Sequence, residues 1–131
     1  MIDVDDWLHG TTTTLFSAFA VLAGIPKLLA LDFMLTTMNS LGYGTAFTVF
    51  IGACWTLAGI GVWLRSWREL AVIGTWFITS GAIAAHLTNG DAFPYHLLAP
   101  VVLSAVILWY EGFWHHITPF LDEPRQIQTN E

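Results

Sequence analysis

Residues 45–64 read TAFTVFIGACWTLAGIGVWL, a run without one charged side chain. A helix that crosses a bilayer needs about 20 consecutive, mostly apolar residues, and must satisfy its backbone polar groups internally because no water is there to do so. This run meets the demand, and three others flank it. One precedes it at residues 13–31, and two follow at residues 70–87 and 95–114. The window at 70–87 is at the short end of the spanning range. Residues 65–69 form a tight turn. Asn89-Gly90-Asp91 with Pro94 forms another, built from residues that favour turns. Short connections make successive helices antiparallel. The expected fold is therefore all-α: a transmembrane four-helix up-down bundle, one domain over residues 1–131 with a polar tail at 118–131. The longer segment 32–44 contains Phe33, Met34, Leu35, Met38 and Leu41, with Asn39, Gly42 and Gly44 as breakers, and predicts a short interfacial helix.

Composition agrees. Of 131 residues 55% are hydrophobic and 11% charged, against about a quarter charged in an ordinary soluble domain. Mean hydropathy is +0.61. With four Lys and Arg against ten Asp and Glu, the chain lacks the cations that phosphate backbones require, so no nucleic-acid partner is expected. One cysteine, Cys54, excludes an intrachain disulfide and dithiol chemistry. The segment Met1–His9 carries Asp3, Asp5 and Asp6 where a signal peptide carries positive charge, so the first apolar segment is expected to be retained. Arg65 and Arg68 place the turn between the second and third windows on the cytoplasmic side, and with it both termini; Arg125 in the tail agrees. The partner is the lipid bilayer, together with other membrane subunits or further copies of the chain.

Small residues predict how the helices meet. Gly52 and Gly59 in the second window, and Gly74 and Gly81 in the third, predict close packing of those two helices. Trp7, Trp63, Trp67, Trp109 and Trp114 fall near helix ends as an aromatic belt does. Trp55 and Trp76 lie deeper and are expected to face lipid or pack in the core rather than to line a pocket. Thr11–Thr14 reads as a helix start, its hydroxyls offering caps.

An ionisable group at membrane depth costs about 2.5–3.5 kcal/mol on insertion scales, so each is a functional candidate. Lys27, Asp32, His86, Asp91 and His96 all fall at the extracytoplasmic level of this topology, and together they form the expected ligand-binding site. Pro26 is expected to kink the first helix beside Lys27. Lys27 needs water or an anion, with Asp32 or Asp91 as the available partners. A snorkelling lysine, loop aspartates and interfacial histidines are the plainer reading of the same residues. At the other level lie His9, Glu111, His115 and His116. Glu111 and His115 share a helix face, a donor set that zinc or iron accepts, yet a solvated helix end accounts for them and no metal is expected. Haem requires two inward histidines at one depth on different helices, a condition His86 and His96 meet only if the short turn lets them face each other; haem is not expected.

Several stretches resemble a known family. Ala23-Gly24-Ile25-Pro26-Lys27-Leu28 resembles the G-x-x-K-L signature of the DoxX-like membrane proteins. Gly52 with Leu57-Ala58-Gly59-Ile60-Gly61 is similar to their Gly-rich second helix, and residues 68–74 to the start of their third. Ala85-His86-Leu87-Thr88-Asn89-Gly90-Asp91 is similar to their H-L-x-x-G-D ending. Two departures stand out: Thr12–Thr14 where members often carry Arg, and Trp55-Thr56 where many carry a Glu. The resemblance implies a bundle in a bacterial or archaeal cytoplasmic membrane. The family is named for a membrane subunit of a thiosulfate:quinone oxidoreductase. By that resemblance the chain is a redox-associated subunit with quinone as candidate ligand; the alternative is a non-enzymatic accessory or assembly subunit. Gly24, Lys27, His86 and Asp91 are the matched positions.

Overall fold

A computed structural model of the protein describes residues 4–112. Among these residues every regular element is helical: α1 (Val4–Leu28), α2 (Asp32–Ser40), α3 (Thr45–Gly61), α4 (Arg68–Thr88) and α5 (Leu98–Tyr110), the last preceded by a 3₁₀ turn at Tyr95–Leu97. Helix α1 packs on α3 and α5, and α4 packs on the same two, so the four longer helices close a ring. Val62, Phe16, Ala20, Trp55, Val72, Ile107 and Leu108 form the core between them. Trp114, Arg125 and the polar tail at 118–131 lie outside the described residues.

Helix lengths depart from the hydropathy windows. Helix α1 begins at Val4, well ahead of the expected residue 13. The threonines are therefore interior rather than caps: the hydroxyls of Thr12, Thr13 and Thr14 donate to the carbonyls of Leu8, His9 and Gly10, each at 2.8 Å. A threonine that bonds back four residues is satisfied inside a helix, which is why the polar run does not stop it. Two segments, Asp6–Leu28 and Arg68–Thr88, are long and apolar enough to cross a membrane on their own. Helices α2 and α3 qualify only together, bent by 110°, and Tyr95–Tyr110 is a shorter apolar helix. The short helix expected between the first two windows is present as α2.

The close helix contact lies elsewhere than the glycine pattern predicts. A Cβ built on Gly52 would stand 2.3 Å from the backbone nitrogen of Leu28 and 2.9 Å from the carbonyl oxygen of Gly24; one on Gly24 would stand 2.7 Å from the backbone nitrogen of Thr56. Backbone therefore meets backbone between α1 and α3. Gly59 continues the seam, its Cβ position 2.8 Å from Val21 Cγ2 and 3.0 Å from the Ser17 carbonyl. Ser17 Oγ donates to the Gly59 carbonyl at 2.7 Å. Around Gly74 and Gly81 an added Cβ meets nothing within 4 Å. The predicted Gly52/Gly59 to Gly74/Gly81 packing is thus corrected: the α3 glycines face α1, and the contact of α3 with α4 lies near their turn, where a Cβ on Gly61 would lie 3.3 Å from Ala71 Cβ. In lipid there is little hydrophobic drive between helices, so close approach of this kind supplies the cohesion.

Gly52→Ala is expected to cost about 1–3 kcal/mol, as overpacking against backbone does. Gly74→Ala should be neutral, or stabilising by up to about 1 kcal/mol, since Gly is the poorer helix former. Thermal unfolding of the purified protein in detergent reads both; equal shifts at the two positions would contradict the assignment of the seam.

Candidate functional site

The helix ends build the site. Three of them close with the same backbone pattern, in which one amide reaches back five residues and the preceding amide three, around a residue of positive φ. At α4 the Asp91 amide bonds the His86 carbonyl at 3.0 Å and the Gly90 amide bonds that of Leu87 at 3.2 Å, with Gly90 at φ 77°. At α2 the Tyr43 amide bonds Met38 at 2.9 Å and the Gly42 amide bonds Asn39 at 3.0 Å, with Gly42 at φ 83°. At α1 the Leu31 amide bonds Pro26 at 3.0 Å and the Ala30 amide bonds Lys27 at 3.1 Å, with Ala30 at φ 50°. A left-handed non-glycine residue costs about 1–2 kcal/mol, so the α1 ending is strained where the chain turns from α1 into α2. Pro26 lies inside the last turn of α1, its carbonyl closing this ending, and the helix continues past it through Lys27 and Leu28.

The α4 ending explains a pairing. It brings Asp91 back over His86, and His86 Nδ1 lies 2.9 Å from Asp91 Oδ2. Gly at the left-handed position and Asp one step on are what the H-L-x-x-G-D pattern encodes in three dimensions.

Between α1, α3 and α4 lies a cavity of about 540 Å³, within the range of small-molecule sites. Phe19, Ala23 and Lys27 line it from α1, four residues apart along one face. Phe47, Ile51 and Trp55 repeat that spacing on α3, and Phe77, Ile78, Gly81, Ala82, Ala85 and His86 line it from α4. Met34, Thr37 and Met38 of α2, with Leu41 and Tyr43, cover one end; His96 and Leu97 of the 3₁₀ turn complete it. Most of the wall is apolar. Its polar atoms gather at the end where α1 and α4 terminate.

Of the expected site residues, Lys27, His86 and His96 line this one cavity. Asp91 reaches it only through His86, and its own side chain is half exposed. Asp32 opens α2, is exposed and is absent from the cavity wall. Neither expected partner of Lys27 is in place. Lys27 Nζ donates to the Ala23 carbonyl at 2.9 Å, and among the described residues no carboxylate stands within ion-pair distance of it. The turn at Ala30 starts a new helix at Asp32, and His86 occupies the carboxylate of Asp91. The ammonium keeps further N–H donors for an occupant.

Sequence reading placed Trp55 against lipid or in packing, not in a pocket. It is 4% exposed and belongs to the core, and it also walls the cavity. The Phe19-Ala23-Lys27 and Phe47-Ile51-Trp55 spacings were the available signals; each reads equally as a core stripe until both are seen to face the same space. Trp76, expected against lipid or in packing, donates from Nε1 to Ser104 Oγ at 2.6 Å.

The opposite end is tied by ions. Arg68 donates from Nη1 to Glu111 Oε1 and from Nε to the Val62 carbonyl at 2.7 Å. His9 Nε2 lies 3.3 Å from the same Glu111 oxygen, outside hydrogen-bond geometry, and its ring meets Tyr110 edge-on with centroids 5.8 Å apart. The start of α1, the start of α4 and the end of α5 thus meet around one carboxylate. No group of three His, Cys, Asp or Glu suited to a metal occurs among the described residues; His115 and His116 lie outside them. Trp7, Trp63, Trp67 and Trp109, the belt residues that are described, are all exposed at this end.

The profile of the DoxX-like family matches residues 11–110. The chain belongs to the DoxX-like family, and it is a membrane protein with transmembrane helices. No curated protein matches it, and no solved structure does.

Arg68→Met should lower stability by about 1–3 kcal/mol, the value of hydrogen bonds made by a charged group. Arg68→Lys should recover only part, because an ammonium does not span two acceptors as a guanidinium fork does. Unfolding midpoints of the two variants check this.

Proposed function

We propose that this chain is a redox-associated membrane subunit whose cavity holds a lipid-soluble quinone. The observation that carries the reading is that Lys27 and His86, from the last turns of α1 and α4, line the same cavity, whose wall is mostly apolar. A quinone presents carbonyl oxygens on a flat apolar ring. The free N–H groups of Lys27 suit the carbonyls, and Phe19, Ile51 and Trp55 suit the ring. Burying a carbonyl without a donor is costly, so the cation supplies both affinity and orientation. If His86 is neutral with its proton on Nδ1 toward Asp91, Nε2 is left as an acceptor for a quinol hydroxyl. The chain itself holds no dithiol, and electrons would pass to or from a partner subunit. The accessory or assembly reading shares that partner and dispenses with the ligand. The topology belongs to the same proposal: four spans in a bacterial or archaeal cytoplasmic membrane, with the Arg65–Arg68 turn and both termini on the cytoplasmic side, by the excess of cations there.

Equilibrium binding of a benzoquinone to the protein in lipid nanodiscs, with empty discs subtracted, tests the ligand. Lys27→Met should weaken binding about ten- to a hundredfold, the value of a hydrogen bond to a charged group, while Lys27→Arg keeps most of it. Unchanged affinity in Lys27→Met would reject the site, and a stoichiometric protein partner copurifying without any quinone would favour the accessory reading. Reporter fusions should read cytoplasmic after Glu131 and extracytoplasmic at Gly90; the reverse pattern would overturn the orientation.

A further inference from the structure

Among the described residues, the cavity has one side that no helix closes. Its back is α1, sealed against α3 by the Gly24–Gly52 contact. Its end is covered by α2 and the 3₁₀ turn, and α5 contributes nothing to the wall. Helices α3 and α4 approach each other near their turn, at Gly61 and Ala71, and beyond it the cavity occupies the space between them. Both lips of this gap are exposed: Phe47 is 42% and Phe77 77% accessible. Gly81 lies on the α4 lip, exposed, lining the cavity, with open space where its side chain would be. It stands five residues from His86, about 7.5 Å along a helix. Lipid is what surrounds such a lip in a membrane-spanning helix.

We propose that the gap between α3 and α4 is a lateral portal, through which a single-tailed amphiphile with a neutral, oxygen-bearing head enters from the bilayer. The head reaches Lys27 and the tail leaves across Gly81 between Phe47 and Phe77. This rests on the reading of the cavity as a ligand site and adds the route, the tail and the residue that sets its passage. Neutrality of the head follows from the helix ends. The C-termini of α1 and α4 converge there, and their negative dipole ends already compensate the Lys27 charge. A second negative charge has no second cation to meet, since among the described residues no other Lys or Arg lines the cavity. The tail follows from the shape: an apolar slot open to hydrocarbon holds a chain without dehydrating any polar group. Gly81 is the notch over which that chain passes, and a bulky side chain there fills the slot while leaving the Lys27 end free.

The test compares a tailless dimethoxy-methyl-benzoquinone with its decyl homologue, in nanodiscs and normalised to membrane concentration. Wild type and Gly74→Leu, a change on the same helix away from the cavity, should bind both. Gly81→Trp should weaken the decyl compound at least tenfold and the tailless one less than threefold. Equal loss of both, or loss of neither, would overturn the portal and leave the cavity reading standing; wild-type protein that binds neither compound would overturn both. A decyl homologue carrying a diazirine at its chain end serves as a second measurement, on the wild type, that does not depend on the folding of Gly81→Trp. Labelling of the α3 and α4 lips around Phe47 and Phe77 supports the portal, and labelling confined to α1 or α5 rejects it.

Discussion

The contact of α1 with α3, backbone against backbone at Gly24 and Gly52, is the constraint from which the rest of the structure follows. With no side chain on either residue, the helices approach until carbonyls and amides of one lie where a Cβ of the other would be. That approach fixes the rotation of both helices. The face of α1 that carries Phe19, Ala23 and Lys27, and the face of α3 that carries Phe47, Ile51 and Trp55, are thereby turned to the same space. Buried contacts in lipid gain little from expelling water; geometry of fit does the holding, and glycine is the residue that permits it.

Space appears where this fit stops. The ring of four longer helices is tight at the end gathered by Glu111, Arg68 and His9, and α3 and α4 touch near their turn. Toward the other end the Gly52 face of α3 is committed to α1 and leaves α4 unmatched. Gly81 and Ala82 put little volume into that gap. Helix α2, bent by 110° from α3, closes the top rather than filling the space. The molecule therefore has a cohesive end and an open end, and Lys27, His86 and His96 of the open end stand at the cavity rather than in a core.

The three helix endings around that cavity share one economy of backbone bonding. Each satisfies carbonyls that would otherwise be orphaned near the membrane interior, and each turns the chain sharply. Two use glycine, and one uses Ala30 in a conformation that a side chain disfavours. The strained ending is the one that directs the chain from Lys27 into α2. The endings also set charge: helix C-termini carry partial negative charge, and Lys27 and His86 sit in the last turns of α1 and α4.

By itself the sequence determined the membrane class, the helical content and the sharp turn that ends α4, because each depends on residues close together in the chain. A window sum of hydropathy needs only neighbours, and His86, Gly90 and Asp91 form one local hydrogen-bonded turn. It also marked Gly52 and Gly59 as a close contact, but assigned that contact to the wrong helix, the one carrying Gly74 and Gly81. Only the tertiary structure decided that the partner is α1 and not α4, that Lys27 bonds Ala23 and meets neither Asp32 nor Asp91, that Asp32 lies apart, and that Trp55 walls a cavity as well as filling a core. Those outcomes depend on the rotation of each helix about its axis, which is set by steric fit between residues distant in sequence. Hydropathy is blind to it, since a sum over a window of residues does not distinguish one apolar face of a helix from another.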